Sequence, residues 1–138
     1  MRIAIDTNCL IAALAKPRGA SARVVAAWRE GSVDVVASEA TVREAEAVLG
    51  GGWLTRIVAR EKIEALLEEL RTRTVWVEEP VAIGDLGLKD EGDLRMVEAA
   101  VSGGARYVVT TDREFLSKRG YGGVEFVTPG EALRAMGA

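Results

Sequence analysis

Two short apolar runs each deliver an aspartate: Arg2-Ile3-Ala4-Ile5 leads into Asp6, and Tyr107-Val108-Val109-Thr110-Thr111 leads into Asp112. Continuous apolar runs of this length read as strands buried on both faces. Such strands present their succeeding residues along one edge of a parallel sheet, where open α/β folds bind ligands. Two carboxylates are therefore expected on a common rim. Like charges at contact distance repel by roughly 1 kcal/mol in water and about 4 at an effective surface dielectric, so a cluster of acids needs a cation or a proton. A third acid emerges from periodicity. In the helix predicted from about residue 91, Asp93 is in line with Met96, Val97, Ala100 and Val101 on the apolar, inward stripe. Asp90, Glu91 and Asp93 stand so close together that periodicity alone leaves the choice among them open.

Each acid also has a plain structural reading. Asp6 and Asp112 fit helix N-caps, Thr111 with Glu114 fits a capping box, and an aspartate in a first helical turn is favoured by the helix dipole. Asn8 strengthens the chemical reading of Asp6. It is the only asparagine in a chain without glutamine, and it stands two residues after the strand-end acid.

Composition narrows the chemistry. With no histidine there is no Ser-His triad, no imidazole base and no imidazole metal ligand. A single cysteine, Cys9, excludes an internal disulfide and a cysteine zinc cage, and its apolar setting reads as core. Catalysis is left to carboxylates, hydroxyls, Lys/Arg or a metal, and an all-oxygen donor set favours Mg²⁺ or Mn²⁺. The formal charge of −3 is unusual for a nucleic-acid binder. A few acids committed to a metal account for it, and basic residues cluster at Lys16, Arg18 and Arg23 and again at Arg113, Lys118 and Arg119, where the alternative is ordinary solvated surface.

The elements that must position these groups alternate along the chain. Strands are predicted at 2–5, 33–37, 74–77, 107–111 and 124–127. Helices are predicted at 7–15, 20–30, 39–49, 53–60, 61–71, 91–102 and 113–119, with a short last helix opened by Thr128-Pro129. Ser38 caps the third helix and Gly50-Gly51-Gly52 stops it. At 138 residues this is one domain, 1–138, a three-layer α/β/α sandwich with a mainly parallel sheet. Strand-like sequence from Arg2 leaves no room for a leader and no run approaches membrane-spanning length, so a cytoplasmic protein without membrane contact is expected.

Several motifs together resemble the PIN-domain family: Asp6-Thr7-Asn8, then Ser38-Glu39-Ala40-Thr41-Val42-Arg43-Glu44, then Asp93 opening a helix. Ala105-Arg106-Tyr107-Val108-Val109-Thr110-Thr111-Asp112, Glu114-Phe115-Leu116 and the closing Gly122-Gly123-Val124-Glu125-Phe126-Val127-Thr128-Pro129 complete the set. The resemblance implies a metal-dependent ribonuclease fold, often the toxin of a VapC-type toxin–antitoxin pair, with Asp6, Glu44, Asp93 and Asp112 at the acidic positions. Glu44 rests on the resemblance; spacing alone does not prefer it to Glu46, and Thr41 with Glu44 also fits a capping box. The chain departs from the pattern at Glu91-Gly92-Asp93, where relatives often carry adjacent acids, and at Thr111, where glycine or serine is frequent.

The resulting expectation is that Asp6, Asp93 and Asp112, with Glu44, hold one or two Mg²⁺ or Mn²⁺ ions for in-line hydrolysis of an RNA phosphodiester. Asn8 and Thr111 would orient ligands or water, and Arg18, Arg23, Arg113 and Lys118 would contact the RNA backbone. An antitoxin protein or a second copy of the chain is the expected partner; the Ile63-Leu66-Leu67-Leu70 stripe is either core or such a surface. The alternative function is a PIN-like binding or regulatory module whose acids serve as caps. Other enzymes fit poorly. A dehalogenase-type phosphatase wants a second aspartate where Asn8 stands, a receiver domain wants paired acids after the first strand, and Gly50-Gly51-Gly52 follows a helix where a dinucleotide fold needs a strand.

Overall fold

A computed structural model describes residues 1–137. Its centre is strand β1 (Arg2–Ile5), in which side chains alternate between two apolar layers. Ile3 and Ile5 enter one cluster and Ala4 the other, all at most 5% exposed. The same alternation separates Val35 from Val36 in β2 (Asp34–Ser38) and Val109 from Val108 in β4 (Tyr107–Val109). A strand apolar on both faces must lie between two helical layers. The first layer holds α1 (Thr7–Ala15), α2 (Ala20–Arg29), α4 (Arg60–Thr72) and α7 (Pro129–Ala135), with Leu10, Val24, Trp28, Ile63, Leu66 and Leu133 packed on the sheet. The second holds α5 (Glu91–Ser102) and α6 (Arg113–Ser117), through Met96, Val97, Ala100 and Phe115. Phe115 meets Phe126 edge-on at 4.8 Å, a contact worth about 0.5–1.5 kcal/mol beyond burial.

The six strands run in the order β3-β2-β1-β4-β6-β5, with β3 at Val75–Val77, β5 at Gly120–Tyr121 and β6 at Val124–Val127. All neighbours are parallel except β5, which returns antiparallel on β6. From β1 the chain winds outward through β2 and β3 on one side, and β4, β6 and β5 fill the other. Succession therefore reverses between β1 and β4, and the carboxyl ends of those two strands form the crevice where such sheets bind ligands. Ile5 pairs with Val109, and the Asp6 amide still donates to the Val109 carbonyl at 2.9 Å, so the residues after both strands stay side by side.

Helix α3 (Glu39–Leu49) crosses near this edge, started by a reciprocal Ser38–Thr41 capping box; the Thr41–Glu44 box suggested by the sequence does not form. Arg71 of α4 clamps it from outside, reaching Glu39 at 3.0 Å and Glu46 at 2.8 Å.

Three local expectations are corrected. Residues 53–60 form one 3-10 turn, Leu54–Arg56, because only Leu54 and Val58 find the core while Trp53 and Ile57 stay exposed, which leaves no helical stripe to bury. The β5–β6 hairpin turns on Gly122 and Gly123, both at positive φ as a tight primed turn demands, so residues read as loop carry a strand. The Thr111–Glu114 box is absent: Asp112 caps α6 through Phe115 N–H at 3.1 Å, and Glu114 instead accepts from the Lys89 amide at 2.8 Å. Of the leucine stripe on α4, Ile63, Leu66 and Leu70 are core and Leu67 packs against it.

Candidate active site

Four elements bring acids to the carboxyl edge of the sheet. Asp6, at the end of β1, occupies the N-cap position of α1 but makes no side-chain cap bond. Its carboxylate, in a residue 5% exposed, instead accepts from Thr110 Oγ1 at 2.8 Å, and that hydroxyl accepts in turn from the Asp112 amide at 3.1 Å. One threonine thus fixes both strand-end aspartates. Asp112 uses Oδ1 to cap α6; no protein donor reaches its Oδ2 among the described residues.

Glu44 projects from α3, and its Oε2 accepts from Thr7 Oγ1 at 3.3 Å. The same carboxylate lies over Gly92 in the first turn of α5. Asp90 is the N-cap of that helix, with Oδ1 accepting from the Gly92 amide at 2.8 Å. Asp93, one turn in and half-buried, accepts no hydrogen bond from any described residue.

The electrostatics are those of unneutralised acids sharing a rim. Burial pushes the Asp93 carboxyl up to about 7, with further contributions from the charges of Asp6, Asp90, Asp112 and Glu44. Burial also raises Asp6, against the lowering effects of the Thr110 hydroxyl and the Thr7 amide, and Asp112 and Asp90 raise it further. Glu44 is raised by burial and then by Asp90 and Asp6. None of these acids has a basic partner among the described residues; Arg95, on the same helix as Asp93, is turned to Glu98 at 2.7 Å and Glu91 at 3.8 Å. Cys9 lies beneath, its thiol pushed up to about 12 by burial and by Asp6, which makes it packing material.

This donor set of carboxylate and hydroxyl oxygens, crowded and without counter-charge, suits a small hard cation. Among the described residues no three of the side chains stand close enough together to hold one ion as they are, as repulsion between uncompensated anions favours.

The remaining sequence candidates are placed differently. Asn8 is exposed on the first turn of α1, and Thr111 is exposed while the hydroxyl that orients the aspartates belongs to Thr110. Strand alternation carries that signal: Val108 faces the α5 layer and Thr110, two residues on, is fully buried at the strand's end. Thr7 was also missed. Arg18, Arg23, Arg113 and Lys118 are all exposed and make no ion pair among the described residues. Arg113 directly follows Asp112, whereas Arg23 lines a groove with Glu30, Leu133 and Met136 between α2 and α7, and Lys118 reaches over Gly87. A separate groove of about 240 Å³ beside Thr111 is lined by Lys16, Gly19, Ser21 and Gly130.

Comparison with known proteins agrees with this architecture. The sequence model of the family described as PIN domain matches residues 2–114. No curated protein matches the chain. Among solved structures, PAE2754 from Pyrobaculum aerophilum superposes with a TM-score of 0.64 at 19% identity, covering 99% of this chain and 90% of the other. VapBC2 from Rickettsia felis, solved bound to a DNA fragment from their promoter, gives 0.57 at 14% identity, covering 91% and 98%.

Proposed function

The chain belongs to the PIN-domain family, and from that premise we propose that it is a divalent-metal-dependent endoribonuclease, the toxin of a toxin–antitoxin pair. The observation that carries this reading is Asp6. It is buried at the switch point of the sheet, makes no side-chain cap bond to α1, accepts from Thr110, and lies within the field of Asp90, Asp112, Glu44 and Asp93 with no basic partner among the described residues. A purely structural acid in that position would cap α1 or pair with a cation of the protein.

In the proposed mechanism Asp6, Asp93 and Asp112 hold the metal. Asp112 keeps one oxygen on α6 and offers the other; Asp6 keeps Thr110 on Oδ2 and offers Oδ1. When bound, Mg²⁺ or Mn²⁺ would acidify a water and neutralise charge on the phosphorus oxygens. Glu44, steadied by Thr7, would take a proton from the attacking water as its oxygen bonds to phosphorus, and the departing ribose oxygen would gain its proton from solvent; a carboxyl raised by burial is better suited to that role than an exposed one. Exposed Arg113 and Lys16, with Arg18, Arg23 and Lys118 further out, bind the RNA backbone without reading its sequence. The VapBC2 complex among the structural neighbours supports an antitoxin protein as partner, with a second copy of the chain as the other candidate. No described helix is long and apolar enough to cross a membrane.

The test is cleavage of RNA with Mn²⁺ or Mg²⁺ against EDTA. Cleavage should need the metal and vanish in Asp6→Asn and Asp112→Asn, both still folded. A ligand that binds only the native state at about 100 times its Kd adds about 2.7 kcal/mol, so Mn²⁺ should also raise the Tm, and Asp6→Asn should cancel that rise. Cleavage in EDTA, or full activity in either variant, overturns the proposal.

A further inference from the structure

Gly92 occupies a helical position with an ordinary negative φ, which alanine would fill with a gain in helix propensity. Backbone conformation therefore does not call for glycine there. Space does: a Cβ built at Gly92 would overlap Glu44 Oε1 and stand 2.7 Å from its Cδ and 3.0 Å from Oε2. Elsewhere in the chain the glycines where a Cβ would collide, such as Gly50, Gly103 and Gly120, meet backbone or the valine core, obstacles that belong to the fold. At Gly92 the obstacle is the end of a flexible side chain that belongs to the site. The collision would be relieved by swinging the carboxylate away, with nothing in the core disturbed.

We propose that Gly92 is a positioning residue whose missing side chain admits the Glu44 carboxylate from α3 into the acidic cluster, so that Gly92→Ala in this chain disables the site without unfolding the protein. The inference rests on the metal-dependent nuclease reading above. It assigns a function to the departure Glu91-Gly92-Asp93: the residue next to Asp93 carries no side chain, and the space there is taken by an acid from another helix. Thr7, donating to the far oxygen of Glu44, holds it in that space.

The test is a double-mutant cycle of Gly92→Ala and Glu44→Ala, read by the Mn²⁺ dependence of Tm and by RNA cleavage. Gly92→Ala should keep or raise the metal-free Tm, yet weaken apparent Mn²⁺ affinity and slow cleavage by about tenfold or more, as Glu44→Ala does. In the Glu44→Ala background it should add less than about twofold, because both changes remove one interaction. A wild-type response in Gly92→Ala, the same loss in both backgrounds, or an unimpaired Glu44→Ala overturns the inference while leaving the metal site standing. If the wild-type protein itself gains no Tm from Mn²⁺, the site proposal fails first and this one with it.

Discussion

The hydroxyl of Thr110 touches two of the four acids, accepting from the Asp112 backbone and donating to the Asp6 carboxylate. It sets the face that Asp6 turns to the crevice. Thr110→Val keeps the shape of the side chain and removes both bonds, leaving the buried Asp6 carboxylate without a donor it now has. Loss of a partner that orients a ligand typically costs about 10- to 100-fold in metal affinity or activity. That loss is expected here, read as Mn²⁺ affinity, with the fold retained by circular dichroism; the same change at exposed Thr111 should cost little. The sequence reading named Thr111, whereas the hydroxyl that bonds both aspartates is that of Thr110. Two adjacent threonines after an apolar strand differ only in which face they take, and counting from Val108 would have chosen Thr110. The period of a helix stripe suggested Asp93 but left Asp90 and Glu91 open beside it. Glu44 came from the family resemblance and not from spacing, since its place depends on α3 lying against α5, which no local pattern encodes.

Helix α5 carries Asp93 and must hold its first turn still although an irregular segment of thirteen residues, 78–90, leads into it. The anchor is Glu98, 4% exposed, which accepts from Arg95 at 2.7 Å and from the Ile83 amide at 3.1 Å; Ser102 takes the Val81 amide and Glu114 the Lys89 amide. Ile83, Leu86 and Leu88 then pack against the α5 layer. Glu98→Ala would leave the part-buried Ile83 amide without its acceptor and Arg95 without its closer partner, a loss of about 1 kcal/mol, the low end of the cost of an unsatisfied donor. Urea unfolding should show it as a lower midpoint at unchanged m, while the Mn²⁺ gain in Tm persists because Asp93 itself is intact; a full loss of that gain would mean the segment holds the site directly. The helices with long apolar stripes and both buried central strands were readable from sequence. The short hairpin strand β5 and the single turn at Leu54–Arg56 were not, because elements of two or three residues are set by what they pack on.

At the scale of the whole molecule, a modest net charge of −3 hides a concentration of acids on one rim while the compensating bases lie elsewhere, Arg71 and Arg29 among them. That separation has a thermodynamic signature. Asp93 titrates near 7 in the native state against 3.8 ordinarily, and Asp6 and Glu44 are raised too. The native protein therefore holds more protons than the unfolded chain between about pH 4 and pH 7, so these groups favour folding at the acid end and lose that contribution as pH rises through 7. Glu39, held near 2 by Arg71 and Arg43, and Glu131, lowered by the Thr128 cap, act in the opposite sense, and their contribution is lost only as pH falls below the usual carboxylate range. The metal-free protein should thus lose stability between about pH 5 and 7, and Asp93→Asn should flatten the loss. On the proposed reading Mn²⁺ would bind the deprotonated cluster, so its gain in Tm should grow over the same interval and offset the decline. Thermal melts across that range in EDTA and in excess Mn²⁺ give both curves. A metal-free Tm that climbs toward pH 7, unchanged by Asp93→Asn, would mean that burial and mutual repulsion do not strain the acids on this rim enough to need a cation.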